Sequence, residues 1–332
     1  MKEILNRLFV HKKLTRQEAQ EVLTKIGQGE YSEAEIAAFI SVYIMRSVSV
    51  EELSGFRDAL LALCNRMDFS DFETIDMCGT GGDSKNTFNI STLASFVVAG
   101  AGGKVAKHGN YGVSSISGSS NVLEYLGYQF SNDESQLKRQ LEQANICMMH
   151  APLFHPAMKH VAPIRKKLKV KTFFNMLGPM VNPAFPQFQL VGVFSLELAR
   201  LYNYIYQQTD KKFTILHSTD GYDEISLTGN VKMISNNSEQ LLSPKDFGFS
   251  KLTEADLYGG ETIKDAAEVF MQILEGKGTR AQNSVVTANA GMGIKCLEPS
   301  LSIEDAIQKA KISLESGNAL TSFKKFIELS QK

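Results

Sequence analysis

The sequence predicts an α/β protein: a small N-terminal helical domain plus a larger α/β domain with a central mixed, mostly parallel sheet flanked by helices. Three observations carry this. Helix-starting motifs recur through the first 70 residues, strand and helix patterns alternate from Thr74, and helical patterns return from about Asp265. The expected division is 1–70 for the helical domain, with the helices near 155–185 as candidates to complete it, and 71–332 for the α/β domain.

Taken in order, Thr15 with Glu18, Ser32 with Glu35 and Ser49 with Glu52 have capping-box spacing. Ile36, Phe39, Ile40 and Tyr43 follow at helical spacing, and Gly27 and Gly29 are expected to end the second helix. The apolar content exceeds what three short helices bury among themselves, so this region is expected to pack on another domain or a second subunit. Strands are expected at Thr74–Cys78, Gly103–Lys107, Asn145–His150, Gln189–Phe194 and Phe213–His217. Helices are expected near 90–101, 119–126, 134–144 and 196–208, then at 264–275, 281–295, 302–316 and 319–331.

The chain has 332 residues and a net charge of −1, without the basic bias usual in nucleic-acid-binding proteins. Cys64, Cys78, Cys147 and Cys296 are far apart and form no Cys-x-x-Cys pair, which fits small buried residues in a reducing compartment. Residues 1–10 carry Lys2, Glu3 and Arg7 and lack a signal-peptide core, and no apolar run is long enough to span a bilayer. A cytoplasmic protein with no membrane or nucleic-acid partner is expected.

The candidate site begins at Asp76-Met-Cys-Gly-Thr-Gly-Gly-Asp-Ser-Lys-Asn-Thr-Phe-Asn-Ile-Ser-Thr92. A short strand breaks at Gly79, Gly81 and Gly82 and enters a helix whose first turn holds Asn89, Ser91 and Thr92. Glycines let the backbone turn sharply and approach a ligand, and a helix start favours an anion. Asp83 is out of place beside an anion unless a divalent cation joins it. The pattern therefore suggests a metal-chelated phosphorylated ligand, a nucleotide-like molecule or sugar diphosphate; the plainer reading is a ligand-free turn. The spacing fits neither the P-loop nor the dinucleotide fingerprint.

A second loop, Lys104 to Ser120, follows another strand. Nine of the 25 glycines fall between Gly79 and Gly118, so two glycine-rich loops can form two walls of one pocket. Lys107, His108, Asn110, Ser114, Ser115, Ser117 and Ser119 supply donors, although Ser119 or Ser120 also suits a helix cap. No Asp or Glu occurs between Gln143 and Leu196. Most lysines there read as a solvated face. Arg165 ends an apolar stripe instead, and arginine suits bidentate capture of a carboxylate. His150, His155 and His160 lack the spacing of a helical metal site, and Phe174 to Pro183 reads as a Gly/Pro turn. Finally, Asp220-Gly-Tyr-Asp-Glu-Ile-Ser-Leu is expected to open a strand after a turn. Its adjacent Asp223 and Glu224 suit Mg²⁺ shared with substrate phosphates; the plainer reading is an exposed acidic turn.

Gly79-Thr-Gly-Gly-Asp, Asn89-Ile-Ser-Thr, Lys107-His-Gly-Asn and Asp223-Glu closely resemble motifs of the anthranilate phosphoribosyltransferase family. His155-Pro-Ala-Met-Lys with Arg165, and Asn175-Met-Leu-Gly-Pro-Met-Val-Asn-Pro, resemble it too, so the likeness spans essentially the whole chain. It implies transfer of phosphoribose from phosphoribosyl pyrophosphate (PRPP) to the amine of anthranilate in tryptophan biosynthesis, by a Mg²⁺-dependent homodimer joined through its N-terminal helices. It further implies PRPP contacts from Gly79, Gly82, Asp83, Thr87, Asn89, Ile90, Ser91 and Thr92, and from Lys107, His108, Gly109, Asn110, Tyr111, Gly112, Val113, Ser114, Ser115 and Ser119. Ser91 and Glu224 would hold one Mg²⁺, and Asp223 with Glu224 a second. Gly79, Asn110 and Arg165 would contact anthranilate, with Arg165 on its carboxylate.

Two departures stand out: Tyr111 where the family often has arginine, and Ser84 where glycine often follows Gly-Gly-Asp. Lys85 is the candidate to replace the missing charge. No residue is assigned as acid, base or nucleophile, because an aromatic amine is already unprotonated at neutral pH. Two alternatives are a pyrimidine nucleoside phosphorylase-like enzyme, which would not need the paired carboxylates, and a non-catalytic nucleic-acid-binding relative, which has support only from the basic run Lys166–Lys171.

Overall fold

The computed structural model describes residues 1–112 and 116–331, so Val113, Ser114 and Ser115 lie outside the described residues. The chain forms two compact units, Met1–Met67 with Ala151–Phe185, and Asp68–His150 with Pro186–Lys332.

The first unit contains α1 (Lys2–Phe9), α2 (Arg16–Gln28), α3 (Glu33–Met45) and α4 (Val50–Leu63). All three expected capping boxes form, at Thr15, Ser32 and Ser49. Gly29 ends α2 in the left-handed conformation, but Gly27 lies inside the helix. A Cβ at Gly27 would come within 2.8 Å of Ala157 and Leu63, so this glycine serves close packing. Phe39, Tyr43 and Phe56 pack edge to face, and Phe173 stacks on Phe56 at 4.5 Å.

Glu52, the capping-box acid of α4, is also the polar centre of this core. It is fully buried. Its carboxylate accepts from the Leu14 and Ser49 N–H groups at 3.0 Å, from Ser49 Oγ at 3.0 Å, from Tyr43 Oη at 3.2 Å, and from both Arg46 Nη atoms. Burial alone would raise its pKa, but the Arg46, Leu14 and Ser49 hydrogen bonds outweigh burial and hold it below the usual value.

The second unit is built on a seven-stranded sheet in the order β3-β2-β1-β4-β5-β6-β7. Its strands are β1 (Thr74–Gly79), β2 (Lys104–Gly109), β3 (Ile146–His150), β4 (Phe188–Gly192), β5 (Lys212–Ser218), β6 (Val231–Ser235) and β7 (Glu239–Leu242). β3 through β5 run parallel, and β6 and β7 are antiparallel. Between them run α5 (Ile90–Gly100), α6 (Ser119–Tyr125) and α7 (Glu134–Ala144). The first unit's second segment carries α8 (Ala151–Phe154) and α9 (Ala162–Leu168). After β4 come α10 (Leu196–Tyr206), α11 (Ile263–Leu274), α12 (Arg280–Leu297), α13 (Ile303–Glu315) and α14 (Asn318–Ser330).

α5 is apolar all round and lies in the core, with Phe96 edge-on to Phe270, Phe323 and Phe326. Gly293 lets α12 close on Met77 of β1.

Three further expectations are corrected, and two strands were not foreseen. The segment after Asp220 does not open a strand; β6 begins only at Val231. Side chains use the ladder groups here: Asn289 takes both the N–H and carbonyl of Ile225, and Leu227 sits at φ +59°. β6 and β7 lacked an alternation strong enough to be foreseen. Gly118, rather than either serine, is the N-cap of α6. The Phe174–Pro183 segment forms two short 3₁₀ turns, Phe173–Met176 and Gly178–Met180, instead of one open turn.

Replacing Glu52 by Ala removes the carboxylate partner of Arg46 and leaves two N–H donors without their acceptor, and should lower unfolding free energy by about 3–5 kcal/mol at neutral pH. The folded pKa lies below the unfolded value of about 4.3, so this contribution is full above that value and lost as pH falls through the folded pKa. Urea titrations should show the wild-type advantage shrinking in acid; an unchanged denaturation midpoint at pH 7 would contradict the role.

Candidate active site

Strand order reverses at β1: the chain passes to β2 and β3 on one side, then returns to β4 and β5 on the other. Such a switch point opens a crevice beyond the carboxyl ends of the strands. Three neighbouring strands end there in glycine. Gly79 and Gly192 are register partners, and Gly109 ends β2. A Cβ on Gly79 would overlap the Asp223 carboxylate, one on Gly192 the Asp223 backbone carbonyl, and one on Gly109 the Ser119 hydroxyl. The bare strand ends are what let these groups lie against the sheet edge.

The first loop turns through Gly81 and Gly82 at φ +65° and +80°. Ser84 follows at φ +62°, so the departure from glycine falls where the backbone most favours glycine. The 254–260 segment braces this loop. Phe88 N–H donates to the Leu257 carbonyl, Gly259 N–H to the Asn86 carbonyl, and Thr87 forms a bridge with Tyr258. Lys85 is paired with Glu254 at 3.2 Å and lies over the Tyr222 ring. Asn89 caps α5 and donates from its side chain to the Ser117 carbonyl at 3.0 Å, joining the two glycine-rich loops. Ile90 and Thr92 are buried, and the Ile90 N–H donates to the Phe88 carbonyl.

Three carboxyl groups converge on the first loop. Gly81 N–H donates to Asp223 at 2.6 Å, Ser91 N–H donates to Glu224 at 2.9 Å, and the carboxyls of Asp83 and Asp223 lie in each other's field. Burial, then the charge of Asp83, pushes Asp223 up to about 7. Burial and the charges of Asp223 and Asp83 push Glu224 well above its usual value, and burial raises Asp83. Glu224 is further fixed by Ser218 Oγ, which donates to its carbonyl at 2.5 Å, and by the Asn289 clamp on Ile225. Like charges held this close call for a cation. Among the described residues no three His, Cys, Asp or Glu side chains are placed to cage a metal by themselves. The donor set nevertheless fits Mg²⁺, which takes one or two carboxylates and completes its shell with water and substrate phosphate.

In the second loop, the Lys107 side chain is buried and donates to the Met77 carbonyl; burial lowers its pKa. His108 is buried, and its backbone N–H donates to the Asp76 carboxylate at 3.2 Å. Asn110 accepts at its carbonyl from Ser120 N–H and Ser119 Oγ, and Gly112 N–H donates to Asn121 at 2.8 Å. Tyr111 donates its hydroxyl to Glu124 at 3.2 Å.

Arg165 lies on α9 in the first unit. Its Nη2 donates to Asn175 Oδ1 at 3.2 Å, and its guanidinium lies 5.4 Å from the Phe174 ring centre. Its Nε is buried with no acceptor among the described residues, and burial lowers its pKa. Asn175 also accepts from Thr172 N–H, which fixes the arginine's support.

Sequence reasoning missed Gly192, Ser218, Asn289 and Asn121. Gly192 had a signal, a glycine closing an apolar strand. Asn289 had another, a lone amide in the apolar run Val285–Ile294. Its partner is 64 positions away, so the pairing itself was hidden.

The fold and the site define a glycosyl transferase. Residues 71–320 match the family described as "Glycosyl transferase family, a/b domain", and residues 2–64 match its "helical bundle domain". The chain is 61% identical to anthranilate phosphoribosyltransferase from Christiangramia forsetii, covering 100% of both chains, and 53% identical to that of Bacteroides thetaiotaomicron, also over 100% of both. Among solved structures it resembles anthranilate phosphoribosyltransferase from Thermus thermophilus, with a TM-score of 0.92, 28% identity and 99% of each chain covered. The Saccharomyces cerevisiae enzyme in complex with PRPP and Mg matches with a TM-score of 0.90 at 26% identity, covering 98% of this chain and 96% of that one. The chain belongs to the anthranilate phosphoribosyltransferase family.

Because the folded pKa of Asp223 lies above the unfolded value of about 3.9, the metal-free native state binds the extra proton. Its contribution therefore favours folding below pH 7 and is lost as pH rises through about 7. In EDTA, the melting temperature of wild type relative to Asp223→Asn should rise as pH drops from 8 to 6. A pH-independent difference would refute the burial argument.

Proposed function

We propose that this enzyme transfers the phosphoribosyl group of PRPP to the amine of anthranilate, giving N-(5-phosphoribosyl)anthranilate and pyrophosphate in tryptophan biosynthesis. The observation that carries the reading is the Asp83, Asp223 and Glu224 set, Asp223 buried and the other two half-buried, against a glycine-rich, helix-starting loop. A carboxylate cluster and an anion cradle are mutually repulsive unless a metal-chelated diphosphate occupies them together.

In this reading Gly79, Gly82, Asp83, Thr87 and Asn89 to Thr92 hold PRPP, with Lys107 to Ser115 and Ser119 from the second loop. The positive end of the α5 dipole faces developing negative charge on the leaving pyrophosphate. Ser91 with Glu224, and Asp223 with Glu224, would hold two Mg²⁺ ions. When bound, Mg²⁺ offsets the charge of the leaving pyrophosphate. Lys107 supports the site from inside, its buried ammonium bonded to the Met77 carbonyl and in the field of Asp76 and Glu224.

Gly79, Asn110 and Arg165 contact anthranilate. The buried, partnerless Nε of Arg165 supports a carboxylate role, because a desolvated donor without an acceptor is costly until a ligand supplies one. Anthranilate attacks through a neutral aromatic amine, so positioning and charge stabilisation can carry the reaction without a side-chain base before attack.

A homodimer through the N-terminal helices fits the exposed Phe9, Val10, Ile44 and Met45 and a pocket of about 280 Å³ lined by Leu8, Phe9, Ala38, Val42 and Met45 together with His11, Ser41 and Arg46. A cytoplasmic setting fits the free cysteines and a biosynthetic role; no helix among the described residues is long and apolar enough to cross a membrane.

The test follows anthranilate fluorescence with PRPP and Mg²⁺. Wild type should consume anthranilate only when both are present; no loss with folded protein would reject the reaction. Arg165→Ala should raise the anthranilate KM about 10²-fold, as expected for losing a charged hydrogen bond of about 3 kcal/mol, with a much smaller change in the PRPP KM. Equal effects on both constants would reject the carboxylate clamp.

A further inference from the structure

His150 ends β3 and is the register partner of Gly109, which ends β2 immediately before the second glycine-rich loop. That loop leaves the sheet at Asn110 and returns to regular structure at Ser119, where α6 begins. The His150 ring touches both ends of it. At the outgoing end the Tyr111 ring packs edge-on against the imidazole, with centroids 4.7 Å apart at 72°. At the returning end Nδ1 lies 2.9 Å from Ser120 Oγ. Phe130 stacks on the remaining surface at 4.5 Å and 25°.

The neighbours of this ring close the loop a second time. Ser120 N–H donates to the Asn110 carbonyl at 3.2 Å, and Tyr111 donates its hydroxyl to Glu124 on α6. Phenylalanine at position 150 could supply the stacking alone, and asparagine the hydrogen bond alone. Imidazole supplies both from one rigid ring, and its burial shields the hydrogen bond from competing water.

We propose that His150 is a positioning residue for PRPP binding: one side chain holds the described residues on either side of the second glycine-rich loop, Tyr111 on one side and Ser120 on the other. It touches no substrate; it sets the loop that does. The proposal rests on the reading that this loop holds PRPP, and Tyr111 then serves as an aromatic anchor where a cation is absent.

The test is a double-mutant cycle read in the PRPP KM. His150→Phe keeps the ring and deletes Nδ1; Ser120→Ala deletes its partner. Each should raise the PRPP KM about five-fold, the loss expected for one hydrogen bond, with kcat, the anthranilate KM and the melting temperature little changed. The double variant should be no worse than either single one. His150→Ala, which also removes the Tyr111 contact, should raise the PRPP KM further. Additive effects of the two single variants, an unchanged PRPP KM in both, or a fall in kcat alone would overturn the proposal. Asn110→Ala and Ser119→Ala separate the two ways of failing. If they raise the PRPP KM while the His150 variants do not, the anchor is wrong and the loop reading stands. If they also leave it unchanged, the loop does not hold PRPP, and the proposal falls with that reading.

Discussion

Everything at this site depends on three adjacent strands ending without side chains. Gly79, Gly109 and Gly192 finish β1, β2 and β4, and each leaves space occupied by another group. The Asp223 turn fills the space over Gly79 and Gly192, and Ser119 fills the space over Gly109. A methyl group at Gly192 would occupy the position of the Asp223 carbonyl, so the turn bearing Asp223 and Glu224 could not rest on the sheet. Sheet topology supplies the crevice; the glycines allow carboxylates and glycine-rich loops to share it.

The electrostatics follow from that packing. Asp83, Asp223 and Glu224 are held close by rigid neighbours: Gly81 and Ser91 N–H groups, Ser218 and Asn289. Burial raises the pKa of all three, and neighbouring carboxylate charge raises Asp223 and Glu224 further. Such a cluster is expensive as pure scaffold, since apolar residues would pack there at lower cost. In the proposed reading, a divalent cation arriving with a diphosphate offsets that cost. Glu52 in the helical unit is the contrast: there, Arg46 and the surrounding donors hold the carboxylate ionised, and its role is structural.

Much of this was legible in the sequence where local signals exist. The capping boxes at Thr15, Ser32 and Ser49 formed as spaced, and the five parallel strands were found within a few residues. The Asp223–Glu224 pair was singled out, but its setting was misread, because the bonds that keep Ile225 out of a strand come from Asn289 on a distant helix. Lys107 read as a loop donor, yet its ammonium points to a strand carbonyl, since sequence does not reveal which side of β2 a residue faces until register is known. His150 was set aside for lacking metal-ligand spacing. Its contacts with Tyr111, Ser120 and Phe130 are all made by the fold.

The central claim is that buried carboxylates and an anion cradle form one site only when a divalent cation joins the diphosphate. Isothermal titration of PRPP into the protein, with Mg²⁺ and then with EDTA, tests it most directly. PRPP should bind at least about ten-fold more tightly with Mg²⁺, a difference of about 1.4 kcal/mol, and Asp223→Asn with Glu224→Gln should remove most of that difference. Equal PRPP affinity with Mg²⁺ and with EDTA in the wild-type protein would contradict the account.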